Sequence, residues 1–141
     1  MVKANDKTAF NFKKFRVSNF SFNEAGPDHK GYDINFAPSG KYNESTGVFE
    51  VLLDFRATEA DKENEKIMNI TSVAEFQMNP VCKFADIPDH FFTNAIPIFF
   101  PYVRAFVSTL TLQANAKVIM LGLIKFTNVA EPLKQNTQVA K

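Results

Sequence analysis

The sequence predicts an α+β fold in which a four-stranded antiparallel β-sheet is packed by one long amphipathic helix, and three observations predict it. Between Val48 and Thr58 the residues Phe49, Val51, Leu53, Phe55 and Ala57 alternate with Glu50, Asp54, Arg56 and Thr58, the period of a strand with one buried and one wet face. The segment Ile67 to Met78 repeats the pattern, with Met68, Ile70, Ala74, Phe76 and Met78 on one face and only the charged stretch Glu59 to Lys66 separating it from the first; such a pair forms an antiparallel hairpin. From Pro88 onward the apolar spacing becomes helical, through Phe92, Ile96, Phe99, Phe100, Val103, Phe106, Val107 and Leu110.

The other elements follow in order. From Phe10 to Asn23 the apolar residues come in bursts of period two, Phe10 and Phe12, Phe15 and Val17, Phe20 and Phe22. The phase changes between bursts, which a long strand with one or two β-bulges accommodates. Asn23-Glu24-Ala25-Gly26-Pro27-Asp28 reads as a turn. Tyr32 to Phe36 is a short strand, followed by a polar loop from Ala37-Pro38-Ser39-Gly40 to Ser45-Thr46-Gly47. Pro97 and Pro101 each remove an interior hydrogen bond, so the helix is expected to begin near Pro97 or to bend there. Val118 to Ile124 is a β-branched run suited to a strand or an extended arm, and Pro132 with the polar Lys134 to Lys141 predicts a loose end. A final helix is expected to be short or absent. The whole reads as a single domain, 1–141, with flexible segments at 1–8 and 132–141.

Composition restricts the function classes. The chain has 141 residues and 16 Phe against 3 Tyr and no Trp, more large rings than one small core readily absorbs, so some are expected to face a partner. Sixteen Lys and Arg against 15 Asp and Glu give a net charge of +1, a field too weak to predict nucleic-acid binding. Met1 to Asp6 lacks the apolar stretch of a secretory signal, and Ile96 to Leu112 is shorter than the roughly 20 apolar residues that span a bilayer. Arg104 near the middle of that run argues further against insertion. The single Cys82 forms no internal disulfide, in keeping with a reducing cytoplasm.

Catalytic chemistry is sparsely represented. Cys82, Asp86, Asp89 and His90 lie close in sequence and offer a thiol–imidazole pair or part of a metal site. One cysteine and one nearby histidine leave a zinc site short of ligands, and with 5 Gly in the chain there is no glycine-rich phosphate loop. No enzymatic activity, cofactor or metal is expected.

Phe100-Pro101-Tyr102-Val103-Arg104 at the heart of the helix, preceded by an Asn- and Phe-rich lead, resembles the Phe-Pro-Tyr-x-Arg of the SecB family of protein-export chaperones. The likeness runs on to Phe126. Upstream, Phe20-Ser21-Phe22 resembles the end of the family's first strand, and Val48-Phe49-Glu50-Val51-Leu52-Leu53 its third, so the resemblance covers about Phe12 to Phe126. It implies a cytoplasmic homotetramer, a dimer of dimers, or a dimer, that holds unfolded polypeptide clients without ATP for export. It also implies a client groove lined by Tyr32, Met68, Ile70 and Phe126, and an assembly helix carrying Ile96, Phe99, Phe100, Tyr102 and Val103. Exposed apolar surface with adaptable Met and Phe side chains suits such a role on physical grounds.

Departures from the family pattern bear on its motor, SecA, which the family docks through carboxylates. Asn19, Asn23 and Asn69 stand at those positions with only Glu24 adjacent. Ala114-Asn115-Ala116-Lys117 replaces the family's Gly-x-x-Pro, Leu123 its downstream proline, and Pro132 falls where its final helix runs. A dedicated-client relative, serving an antitoxin or a secretion-system subunit, is the nearest alternative. A purely structural oligomeric adaptor whose apolar surface is consumed by its own assembly is another, and an enzyme or apolar-ligand carrier would need a closed pocket.

Overall fold

The computed structural model describes residues 8–23, 32–59, 66–114, 121, 126 and 128–141. In chain order its elements are β1 (Ala9–Phe22), β2 (Tyr32–Asn43), β3 (Val48–Glu59), β4 (Lys66–Asn79), α1 (Asp89–Gln113), α2 (Ala130–Gln135) and β5 (Thr137–Ala140). The strands form one sheet of order β1-β4-β3-β2-β5, and α1 packs across one face of it. The Asn23–Asp28 turn beyond Asn23, the Glu59–Lys66 connection between its ends and, except for Leu121, the Val118–Ile124 run lie outside the described residues.

The phase changes of β1 are real bulges. Its antiparallel register with β4 slips between Phe12 and Lys14 and again between Val17 and Asn19. Each slip returns the apolar phase to the same side, so that Phe10, Phe12, Phe15, Val17, Phe20 and Phe22 lie opposite Met78, Phe76, Ala74, Ser72, Ile70 and Met68. Met68, Ile70, Ala74, Phe76 and Met78 form, with Phe49, Val51, Leu53, Phe55 and Ala57 of β3, the buried floor beneath α1.

Strand β2 continues through the stretch expected to be a loop, and the backbone explains why. The Gly40 N–H donates to Asn136 O at 3.2 Å and the Glu44 N–H to Ala140 O at 2.8 Å, so even-numbered residues of β2 turn their N–H groups away from β3. Pro38 therefore has its missing donor on the edge that β5 has not yet reached, since that pairing begins at Gly40, and no ladder bond is lost. Gly40 permits a close approach: a Cβ there would lie 2.7 Å from the Phe49 ring and 2.9 Å from the Thr137 hydroxyl. The hairpin closes on Gly47, at φ 75°, while the Asn43 side-chain oxygen accepts from Ser45 N–H and Thr46 N–H at 2.8 and 3.2 Å.

Two expectations are corrected at the C-terminal end. Among the described residues the sheet has five strands and is mixed, because β5 pairs in parallel with β2. The segment 132–141, expected to be loose, completes α2 and forms β5, anchored by the fully buried Leu133 and by the Thr137 hydroxyl donating to Leu133 O at 2.6 Å. Pro132 sits in the first turn of α2, where its N–H would have had no helical partner, and so does not forbid a short helix.

Helix α1 begins at Asp89, about two turns before Pro97, and contains both prolines. Each proline costs ~3 kcal/mol in a helix interior, whereas each large apolar side chain buried contributes ~1.5–3 kcal/mol. Phe91, Phe92, Ile96, Phe99, Phe100, Val103 and Val107 are all buried, so tertiary packing outweighs the local penalty, and the prolines lie on the solvent side. At 25 residues α1 is long and apolar enough to cross a membrane by length and composition. The shorter run read from the sequence understated it; here its apolar stripe is occupied by the sheet.

Candidate functional site

Two aromatic flanks border α1. On the β1 side, Phe12 and Phe15 lie 5.6 Å from the Tyr102 ring, Phe15 stacked on it, and Phe20 meets Phe106 edge-on at 5.4 Å. On the β2 side, Phe36, Phe100 and Phe126 form a triangle with centroid separations of 5.6, 4.8 and 5.4 Å. Phe100 is the buried base of that triangle, while Phe36 and Phe126 are partly exposed. The Arg104 guanidinium, one helical turn on, lies 5.4 Å from the Phe100 ring centroid, a cation–π arrangement. The Arg104 Nε is buried with no hydrogen-bond partner among the described residues.

The solvent side of α1 has an unusual composition. Asn94, Pro97, Ile98, Pro101, Tyr102, Ala105, Thr109 and Leu112 recur at helical spacing, all exposed and none charged. Tyr102 is 52% and Leu112 61% exposed, with Phe20 of β1 at 53% on the adjoining flank. A surface helix ordinarily presents charge on that side. The opposite face of the sheet is charged, with Arg16 near Glu50 at 3.5 Å and Arg56 against Asp54 at 2.8 Å.

The residues expected in a groove or at an interface fall into different places. Met68 and Ile70 are fully buried under α1, while Tyr32 and Phe126 are partly exposed. Ile96, Phe99, Phe100 and Val103 are core residues of the protomer, and of the expected interface set Tyr102 alone faces outward. The physical reason is the 3.6-residue period: most of the phenylalanines of α1 share the stripe that the sheet takes, leaving a proline-rich stripe with Ile98, Tyr102 and Leu112 outside. Phe36, Ile98 and Leu112 were missed as surface residues. Arg104, odd within an apolar run, was the signal for its own flank.

Tyr32 pairs in register with the buried Glu59; burial first, and then the Glu59 carboxylate, raise its phenol pKa. Tyr42 donates to Cys82 O at 2.6 Å with the Cys82 sulfur 3.7 Å away, and burial foremost pushes its phenol well above the usual range. Cys82 thus lies beside a tyrosine, His90 packs on Phe10 at 5.7 Å, and Asp89 faces Lys134 at 3.6 Å. Among the described residues no group of three or more His, Cys, Asp or Glu gathers in a way that could hold a metal ion.

No protein-family model matches the chain. An uncharacterized protein of Methanocaldococcus jannaschii, MJ0357, is 32% identical over 77 residues, 52% of this chain and 46% of its own length; the chain spans about half of that relative. A solved structure from Streptococcus agalactiae, of a protein of unknown function, superposes with a TM-score of 0.45 at 8% identity over 82% of this chain and 98% of its own, too slight a likeness to carry an argument. The Mycobacterium tuberculosis Rv1957 SecB-like chaperone, solved in complex with a ChAD peptide from the Rv1956 HigA1 antitoxin, superposes with a TM-score of 0.63 at 15% identity over 82% of this chain and 91% of its own. The fold of this chain is SecB-like.

Proposed function

We propose that this chain is an ATP-independent holdase that binds non-native polypeptide segments in the cytoplasm, with no enzymatic activity of its own. The observation that carries the reading is the aromatic flank left half-open on a SecB-like fold, where Phe36 and Phe126 stand partly exposed over the buried Phe100, an arrangement that marks interaction surfaces. Phe20, Ile98, Tyr102 and Leu112, each more than one-third exposed, add a second apolar surface. In this reading the uncharged outer stripe of α1 associates with a second copy, as a dimer or as a dimer of dimers, and the half-open Phe36–Phe126 flank takes the client.

Export remains the destination that the sequence resemblance implies, and the asparagines at the family's SecA-docking positions weigh against that motor. A dedicated-client role is the second reading, supported by the antitoxin peptide bound to the neighbouring fold. Light scattering after size exclusion, with and without an excess of a chemically unfolded, slow-folding polypeptide, tests the proposal. An oligomer that co-elutes with unrelated unfolded clients supports the general holdase, and one that suppresses aggregation of a single natural client supports the dedicated one. An oligomer that ignores unfolded chains of every kind supports the purely structural adaptor and overturns the proposal.

A further inference from the structure

Arg104 is the single charged side chain of α1 between Asp89 and Gln113. It takes part in none of the ion pairs formed among the described residues, and its Nε is withdrawn from water with no hydrogen-bond partner among them. The guanidinium is drawn back over Phe100 instead of lying out along the exposed stripe of α1. Phe100 in turn packs on Phe36 and Phe126, so an unpaired, partly desolvated cation stands at the rim of a partly open aromatic surface. A desolvated donor without an acceptor is costly, and a carboxylate that meets the terminal nitrogens of this half-buried side chain end-on adds two charge-assisted hydrogen bonds beside it.

We infer that Arg104 and the Phe36–Phe100–Phe126 cluster together select polypeptide segments in which an apolar side chain is flanked by aspartate or glutamate. The apolar side chain rests on Phe36 and Phe126, and the neighbouring carboxylate pairs with Arg104. The same cation disfavours segments flanked by lysine or arginine. The inference rests on the client-binding reading and adds to it the chemical class of the client.

Fluorescence anisotropy with three labelled peptides, sharing one apolar centre and flanked by Asp, Ala or Lys, tests it on the full chain. The Asp-flanked peptide is expected to bind about tenfold more tightly than the Lys-flanked one, with the difference shrinking as salt is added. Arg104→Gln flattens the ranking, Arg104→Glu inverts it, and Arg104→Lys, which keeps the charge but loses the fork, retains part of it. Circular dichroism and mass are checked for each variant, and Arg104→Lys carries the test if Arg104→Gln does not fold. Wild-type protein that binds all three peptides equally, or an Arg104→Gln ranking identical to wild type, overturns this inference alone; binding of none of them overturns the client-binding reading with it. A change in oligomer mass on Arg104→Gln with the ranking intact would assign the guanidinium to a carboxylate of a second copy, and also overturn it.

Discussion

Met68→Ser separates an open groove from a closed core. Met68 has no exposed surface, lying between Phe22 of β1 and Ala57 of β3 with α1 above. Truncating a buried methionine to alanine costs ~2–5 kcal/mol, and a serine hydroxyl left there without a partner adds ~1–3 kcal/mol. A total of ~3–8 kcal/mol is a large part of the ~5–15 kcal/mol by which a domain is stable, and corresponds to a fall in Tm of roughly 6–32 °C. The assay is urea unfolding followed by far-ultraviolet circular dichroism, in parallel with client binding by the protein that remains folded. The midpoint is expected to drop steeply with an unchanged slope, while the folded fraction keeps its client affinity. An unaltered midpoint accompanied by lost client binding would place Met68 on an open groove and refute the packing of α1 over β4.

Charging the outer stripe of α1 has the opposite signature. Ile98→Lys with Tyr102→Asp is expected to lower the mass seen by light scattering while the separated protomer loses no more than ~0.5 kcal/mol of stability at Ile98 and ~1–3 kcal/mol at Tyr102, whose ring leaves Phe12 and Phe15; an unchanged mass would exclude that stripe as the self-association surface. Gly40→Ala forces a Cβ against the buried Phe49 ring and the Thr137 hydroxyl; overpacking of that kind costs ~1–3 kcal/mol, so wild-type stability of the variant would contradict the Gly40–Phe49–Thr137 approach. Tyr42 and Tyr32 both have folded-state pKa values above the unfolded value of 10.0. The folded state therefore holds these protons more tightly, and stability is intact below pH 10 and falls as pH rises above it. Urea midpoints measured from neutral pH into that range are expected to decline, and Tyr42→Phe to flatten part of the decline while losing ~1 kcal/mol at neutral pH with its bond to Cys82; a profile identical to wild type would refute Tyr42's share.

Period and buried face were legible in the sequence wherever side chains alternate against a single core. Two phase changes in β1 reported two bulges, because each aromatic pair has to return to the face that α1 covers. The alternation of β3 and β4 fixed their buried faces for the same reason. The extent of β2 was not legible, because whether Pro38 breaks a strand depends on which edge its missing N–H faces, and that is known only once β5 is placed. The parallel β5 itself carries little pattern in four residues, and its position follows from Leu133 anchoring α2.

By itself the sequence determined the fold class, the apolar face of each long strand, the helix with its Phe-Pro-Tyr-x-Arg motif, and an excess of aromatic residues. Only the tertiary structure decided which of those aromatics remain available. The sheet takes the stripe of Ile96, Phe99, Phe100 and Val103, leaves Tyr102 and Ile98 outside, and sets Arg104, with no ion pair among the described residues, near Phe36 and Phe126. Periodicity shows that a residue belongs to an apolar face, but burial depends on what covers that face, and that is a contact between segments far apart in the chain.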